Sequence, residues 1–239
     1  MKCSIILTSF NYGRYLDRAI KSALNQRFPS ENFEVIVVDG GSTDNSFEIL
    51  KKYKSKIRII NQLAFPDRKG LAAACNIGIE SSKGEYIVRL DADDYFEENL
   101  LHETSTYLDR NPEIAFVYSD YYCVFDDKKK IRKKLPSFDA KEIHQRGDFL
   151  PLGTLYRVNC LHSIRFYNEG LRTLENFDLI LRMIENNFIG KHIARPLFNY
   201  FIHDSSMSSD KDLMIKTGAI LGKKYGFEYM QNENHPRKF

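Results

Sequence analysis

The first hundred residues alternate short runs of branched apolar residues with amphipathic stretches about ten residues long, and few folds accept that rhythm. CSIILTSF (3–10) leads into an amphipathic stretch from Tyr15 to Leu24, and EVIVVD (34–39) into a helical stretch from Asp44 to Tyr53. KIRIINQ (56–62) precedes a helix expected over Leu71 to Ser81, and EYIVRLD (85–91) closes the series. Val- and Ile-rich strands separated by helices are the pattern of βαβ units around a parallel sheet. Apolar runs without alternation fit strands covered on both faces. The expected class is therefore α/β, with a mostly parallel central sheet flanked by helices.

The rhythm breaks after Asp94. A helix is expected from Glu97 to Leu108 and a strand from Ile114 to Ser119, while the charged, irregular segment from Tyr121 to Gly153 predicts loops or a surface hairpin. A helix over Asp178 to Asn187, a strand at RPLFNYFIH (195–203) and a helix from Ser209 to Tyr225 precede a polar tail. A nucleotide-type α/β half (1–96) is thus followed by a mixed half (97–210) and a C-terminal helix with its tail (211–239), without a linker between the halves. The 239 residues suit one large domain or two lobes sharing a core.

With 43% apolar and 28% charged residues the chain has a globular composition. No apolar run approaches the roughly 18 residues of a membrane span, and the start lacks the apolar core of a signal peptide, so a cytoplasmic protein is expected. Cys3, Cys75, Cys123 and Cys160 form no CxxC pair and read as buried free thiols. A net charge of +3 is too small to imply nucleic acid. The basic run from Lys128 to Lys134 reads either as a solvated loop or as a contact with anionic lipid or a phosphorylated acceptor, which would place the protein peripherally at the inner face of a membrane.

In open parallel sheets ligands bind beyond the carboxyl ends of the strands. The expected strands end in Thr8-Ser9-Phe10-Asn11, Asp39-Gly40-Gly41-Ser42 and Asp91-Ala92-Asp93-Asp94, which makes a polar, acidic rim. Asp39 could accept hydrogen bonds from a base or ribose, or DGGSTD could be simply turn and helix cap. Asp91 and Asp93, two apart in extended chain, point to one side. Two carboxylates so placed suit Mg²⁺ or Mn²⁺, which would offset their repulsion and hold a pyrophosphate. The aromatic stretch YSDYYCVF (118–125) could stack on a sugar or pack within a strand.

The ordered series ILTSFNYGRYL, VIVVDGGSTDNS, GLAAACNIGIESSKGEYIVRLDADD, ENFDLILR and FIHDSSMS resembles the family-2 glycosyltransferases of GT-A fold over residues 3–210. That resemblance implies a Rossmann-like GT-A domain over 1–210 and sugar transfer, with inversion, from a nucleotide-diphosphate donor such as a UDP-sugar. The acceptor would be a hydroxyl of a glycan, a lipid-linked or another acceptor, in bacterial polysaccharide or glycoconjugate synthesis. It implies nucleoside contacts for Thr8, Phe10 and Asp39, with Asn11 beside them, and a donor pocket lined by Gly70 and Asn76. Arg68 and Lys69 would meet phosphates, Asp91 the ribose or donor sugar, and Asp93 and His203 the Mn²⁺ or Mg²⁺ ion.

One position departs from the family pattern. Asn176 stands in Glu175-Asn176-Phe177-Asp178 where many relatives have the aspartate that acts as base. Either Glu175 takes that role, or Asp178 does, or neither. Two rival readings stay open: a nucleotidyltransferase making the sugar nucleotide, against which SFNYGRY is poor in glycine, and a nucleotide-binding homologue with weak or no catalysis, for which Asn176 argues.

Overall fold

The structure, a computed structural model, describes residues 1–141, 143, 152–203 and 210–228. β1 (Cys3–Ser9) is buried at every position, so both faces of the sheet are covered there. It pairs in parallel with β2 (Phe33–Asp39) and β4 (Tyr86–Asp91), and β3 (Arg58–Asn61) extends the parallel group beyond β2. Between them run α1 (Gly13–Leu24), α2 (Ser46–Tyr53) and α3 (Leu71–Glu80). Gly78 lets α3 lie against β1: a side chain there would come within 2.3 Å of Ile6 Cγ2 and 3.2 Å of Val38 Cγ2.

The second half continues the same sheet in mixed directions. Its elements are β5 (Tyr95–Phe96), α4 (Leu100–Arg110), β6 (Ile114–Val124), β7 (Lys130–Lys133), β8 (Leu155–Arg157), α5 (Val158–Ser163), α6 (Glu175–Glu185), β9 (Ile189–Phe201) and α7 (Lys211–Tyr225). Among the described residues the strand order is β3-β2-β1-β4-β8-β6-β9-β5, with β7 paired to β6. No helix among them is long and apolar enough to cross a membrane.

The structure corrects several boundaries. β6 runs past Ser119 to Val124, because β7 pairs along Tyr121–Val124 while β9 covers the other edge. The aromatic stretch 118–125 is largely strand, with Tyr118 and Tyr121 fully buried. The basic run is not a simple loop: Lys130–Lys133 form β7, where Lys130 donates to Asn199 (2.9 Å) and Arg132 to Asp120 (2.7 Å). β9 starts at Ile189, earlier than expected, and its register against β6 shifts around Pro196, which has no N–H to donate. α6 begins at Glu175 and ends at Glu185. Ser209, expected to open the last helix, and the tail 229–239 lie outside the described residues.

Asp120 locks this half. Its buried carboxylate accepts from Leu135 N–H (2.9 Å), Arg132 (2.7 and 3.1 Å) and His192 (2.7 Å). Burial alone would raise its pKa, but these donors hold it below the usual carboxylate range. A depressed folded pKa gives stability that is present above the unfolded value and is lost as pH falls. Asp120→Asn is therefore expected to destabilise the protein at pH 7 by about 2–4 kcal/mol, less than a fully buried pair because Arg132 is partly exposed. Urea melts should show the gap closing below about pH 4; a gap independent of pH would contradict this account.

Candidate active site

Parallel register brings the strand ends together: Thr8 lies opposite Asp91, and Ser9 opposite Asp39. The two loops that follow β1 and β2 then zip to each other. Asn11, in the left-handed region at φ 58°, accepts from Thr43 N–H (2.7 Å) and donates its own N–H to Ser42 Oγ (2.8 Å). Asp39 is spent mainly on its own turn, Oδ1 accepting from Gly41 and Ser42 N–H (3.0 and 2.8 Å) and Oδ2 from Ser42 Oγ–H (2.7 Å). That leaves one acceptor position, on Oδ2, for anything outside the turn. Phe10, 57% exposed, lies over Gly40, and Leu63, 67% exposed, lies over Gly41. Together they make an apolar floor beside Asp39.

The crowded aspartates after β4 are separated by giving each a different partner. Asp91 accepts from Thr8 Oγ1–H (2.8 Å) and, on both oxygens, from Arg89 (2.8 and 2.7 Å). Asp93 Oδ2 meets His203 Nε2 at 2.9 Å, and its backbone carbonyl accepts from Arg18 (2.5 Å). Asp94 is fully buried and accepts Phe201 N–H at 2.8 Å; burial, and then the charge of Asp93, pushes its pKa far above the usual value. Tyr12, Tyr15 and Phe201 surround the His203 ring at centroid distances of 5.9, 5.0 and 5.7 Å. The rest of the FIHDSSMS motif, 204–209, lies outside the described residues.

Among the described residues no cluster of three or more His, Cys, Asp or Glu side chains could hold a metal alone. Asp93 and His203 still fit a divalent cation that draws its other ligands from water and phosphate. Their 2.9 Å separation is close to the edge of an octahedron with bonds of about 2.1 Å.

Arg89 is the residue the sequence reading missed. It is 4% exposed, and its remaining N–H group reaches Glu175 Oε1 at 2.8 Å. Burial would lower the guanidinium pKa, but the charges of Asp91 and Glu175 raise it well above its ordinary value, so it stays a cation. The signal was a cation flanked by the apolar residues of YIVRL, within a strand expected to be covered on both faces: a buried cation needs carboxylate partners. Glu175 is the first residue of α6, preceded by Leu174 in the left-handed region at φ 56°. A bulky residue held there is strained, by about 1–3 kcal/mol, and this backbone fixes where Glu175 starts. Oε2 of Glu175 carries no hydrogen bond among the described residues.

Two expected donor contacts, Asn76 and Arg68, and the alternative base Asp178 have their side chains engaged by protein partners. Asn76 is buried, donating to Tyr167 C=O and Glu169 Oε1 and accepting Tyr167 N–H, each at 2.9 Å. It pegs residues 167–169 to α3, using both amide hydrogens and one acceptor position of Oδ1. Arg68 is held between Glu80 (2.6 Å) and Glu169 (2.5 Å). Asp178 has no exposed surface and accepts from Arg182 (2.7 Å), Lys224 (3.3 Å) and Tyr225 O–H (2.9 Å), tying α7 to α6. Lys69 and Gly70 remain exposed, and Gly70, at φ 85°, caps the N-terminus of α3 where only glycine is unstrained. Asn76→Ala should accordingly cost about 2–4 kcal/mol of stability in thermal or urea melts. Nucleotide affinity measured by calorimetry on the folded variant should stay within about threefold; a large loss of affinity without loss of stability would return Asn76 to the pocket.

Comparison with known proteins agrees with this architecture. An uncharacterised glycosyltransferase of Haemophilus influenzae is 29% identical over 210 residues, 87% of this chain and 82% of that protein. Of other curated relatives the chain spans far less, 25% of one and 21% of another. The poly(ribitol-phosphate) β-N-acetylglucosaminyltransferase TarS of Staphylococcus aureus is 31% identical over 112 residues, 46% of this chain and 19% of TarS. A crystal structure of TarS 1–349 in complex with UDP-GlcNAc matches with a TM-score of 0.72 at 19% identity, covering 93% of this chain and 67% of that one. The mannosyltransferase PcManGT from Pyrobaculum calidifontis, in complex with GDP-Man and Mn²⁺, matches with a TM-score of 0.72 at 13% identity, covering 95% and 65%. These neighbours share the GT-A fold. The model of glycosyl transferase family 2 matches residues 4–190, so the chain belongs to that family and is a glycosyltransferase.

Proposed function

We propose that this glycosyltransferase moves a sugar from a nucleoside-diphosphate donor, a UDP-sugar, to an acceptor hydroxyl with inversion at the anomeric carbon. The observation that carries the reading is the division of carboxylates at one sheet edge. Asp93 is paired with His203 on the donor side, while Glu175 keeps one oxygen free on the far side of Arg89. The apolar floor of Phe10 and Leu63 suits a base, and the last acceptor position of Asp39 suits a ribose or base donor. Lys69 and the open N-terminus of α3 offer positive charge to phosphate oxygens. Asp91, fixed by Thr8 and Arg89, faces the ribose or donor sugar. The UDP choice follows the TarS complex with UDP-GlcNAc.

Asp93 and His203 would hold Mn²⁺ or Mg²⁺, and the bound cation would supply charge stabilisation to the departing diphosphate. Glu175 takes the proton, since the Asn176 amide cannot and Asp178 is buried among three donors. As the acceptor oxygen attacks the anomeric carbon opposite the diphosphate, its proton passes to Glu175 Oε2. The new glycosidic bond forms while the carbon–oxygen bond to phosphate breaks, and the nucleoside diphosphate leaves with that electron pair. The acceptor is a glycan, lipid-linked or other hydroxyl of bacterial polysaccharide or glycoconjugate synthesis. Lys128, Lys129 and Lys134, exposed around β7, suit a peripheral membrane contact from the cytoplasm.

Two measurements test this reading. Transfer from UDP-sugars should stop in EDTA and return with Mn²⁺, and Asp93→Asn should remain inactive at saturating Mn²⁺ with an unchanged melting profile. Full activity in EDTA would remove the cation from the mechanism. Glu175→Gln should lose about 10²–10⁴-fold in turnover, with UDP affinity nearly unchanged by calorimetry. A fully active Glu175→Gln across several acceptors would end the assignment of Glu175 as base.

A further inference from the structure

We propose that Arg89 is a positioning residue that sets the geometry between the donor-side carboxylate Asp91 and the proton acceptor Glu175; this rests on the role given to Glu175 above. One guanidinium makes both connections, with Nε and one terminal nitrogen on the two oxygens of Asp91 (2.8 and 2.7 Å) and the other terminal nitrogen on Glu175 Oε1 (2.8 Å). The fork is planar and rigid, so the two carboxylates cannot turn independently of each other. Fixing Oε1 leaves Oε2 as the oxygen of Glu175 that is presented outward.

The fork is itself braced. Its carbon lies 5.6 Å from the centroid of the Tyr167 ring, and Tyr167 is buried and held through both backbone groups by Asn76. Strand β4, helix α3, the segment before α6 and α6 itself therefore meet at this one cation. Stability alone gives little reason for such an arrangement, because well-packed apolar groups often replace a buried ion cluster without loss. A geometric role does account for it, since an error of about 1 Å in the placement of a reacting group can lower a rate about 10²-fold.

Arg89→Lys keeps the charge and loses the fork. It should fold, with UDP affinity within about threefold of wild type, while kcat falls about 10–100-fold. In the Glu175→Gln background the same substitution should cost at least about threefold less in kcat than it does in wild type, because one of the two groups it aligns no longer acts. Wild-type kcat in Arg89→Lys would overturn the proposal, as would an equal further loss in the Glu175→Gln background. Should Arg89→Lys lose its folding transition, Glu175→Asp serves instead, keeping the carboxylate but withdrawing it from Arg89. A kcat within about twofold of wild type there would overturn the proposal, and a loss of about 10-fold or more with an unchanged melt is the expected result. If Glu175→Gln itself is fully active, the base assignment fails and this inference falls with it. If that variant is impaired and Arg89→Lys is not, only the role of Arg89 fails.

Discussion

The in-register parallel pairing of β1 with β2 and β4 is the constraint on which the rest of the molecule depends. A slip of one residue would turn every side chain of a strand to the opposite face. It would also part Thr8 from Asp91 and Ser9 from Asp39. The register is pinned at the end of the strands remote from the site. Ser4 Oγ donates to Glu34 (2.7 Å) and accepts from Gly84 N–H (2.9 Å), while Glu34 also accepts from Lys83 N–H (2.7 Å). Gly84 has no side chain because one would come within 2.6 Å of Ser4 N. Small polar contacts at the closed end thus set which residues appear at the open end.

At that open end the difficulty is electrostatic. Asp91, Asp93 and Asp94 lie within four positions of sequence, and three ionised carboxylates so close would repel one another. The fold resolves this with a buried guanidinium for the first, an imidazole for the second, and burial that favours protonation of the third. Arg18 adds to the arrangement from α1, its guanidinium lying 4.4 Å from the Phe201 ring centroid while it holds the carbonyl of Asp93. Asp94 in turn fastens the end of β9, the strand that delivers His203.

The elements that could be read from sequence are those whose stability is local or whose burial is uniform. β1, β2 and β4 are unbroken apolar runs, and α1 through α3 have clear amphipathic faces or small-residue packing. β7, with its sequence KIRK, was legible only as part of the surface hairpin expected over 121–153, because it is held by antiparallel pairing to β6 and by Asp120 rather than by its own composition. The first half of β9, rich in charge and interrupted by Pro196, likewise depends on pairing rather than composition. In the site, the family resemblance pointed to Asp93 and His203, and the structure brings these two into contact, whereas Glu175 was a candidate because Asn176 departs from the pattern. The engagement of Asn76, Arg68 and Asp178 was only partly legible: Arg182 lies one turn from Asp178, but Tyr167, Glu169 and Tyr225 are remote in sequence. Arg89 was passed over because a cation flanked by apolar strand residues has meaning only once its two carboxylates are known.

The sequence distances across this centre also fix an order of assembly. Arg89 precedes Glu175 by 86 residues, and Asn76 precedes Tyr167 by 91. Closing loops of that length must precede any gain from the contacts they bring, so these are late events in folding. During synthesis the βαβ half can pair its strands while Arg89 has Asp91 beside it and no Glu175. The N-terminal half thus emerges with a neutral Arg89–Asp91 pair, and the second carboxylate joins it only after the chain has grown past Glu175.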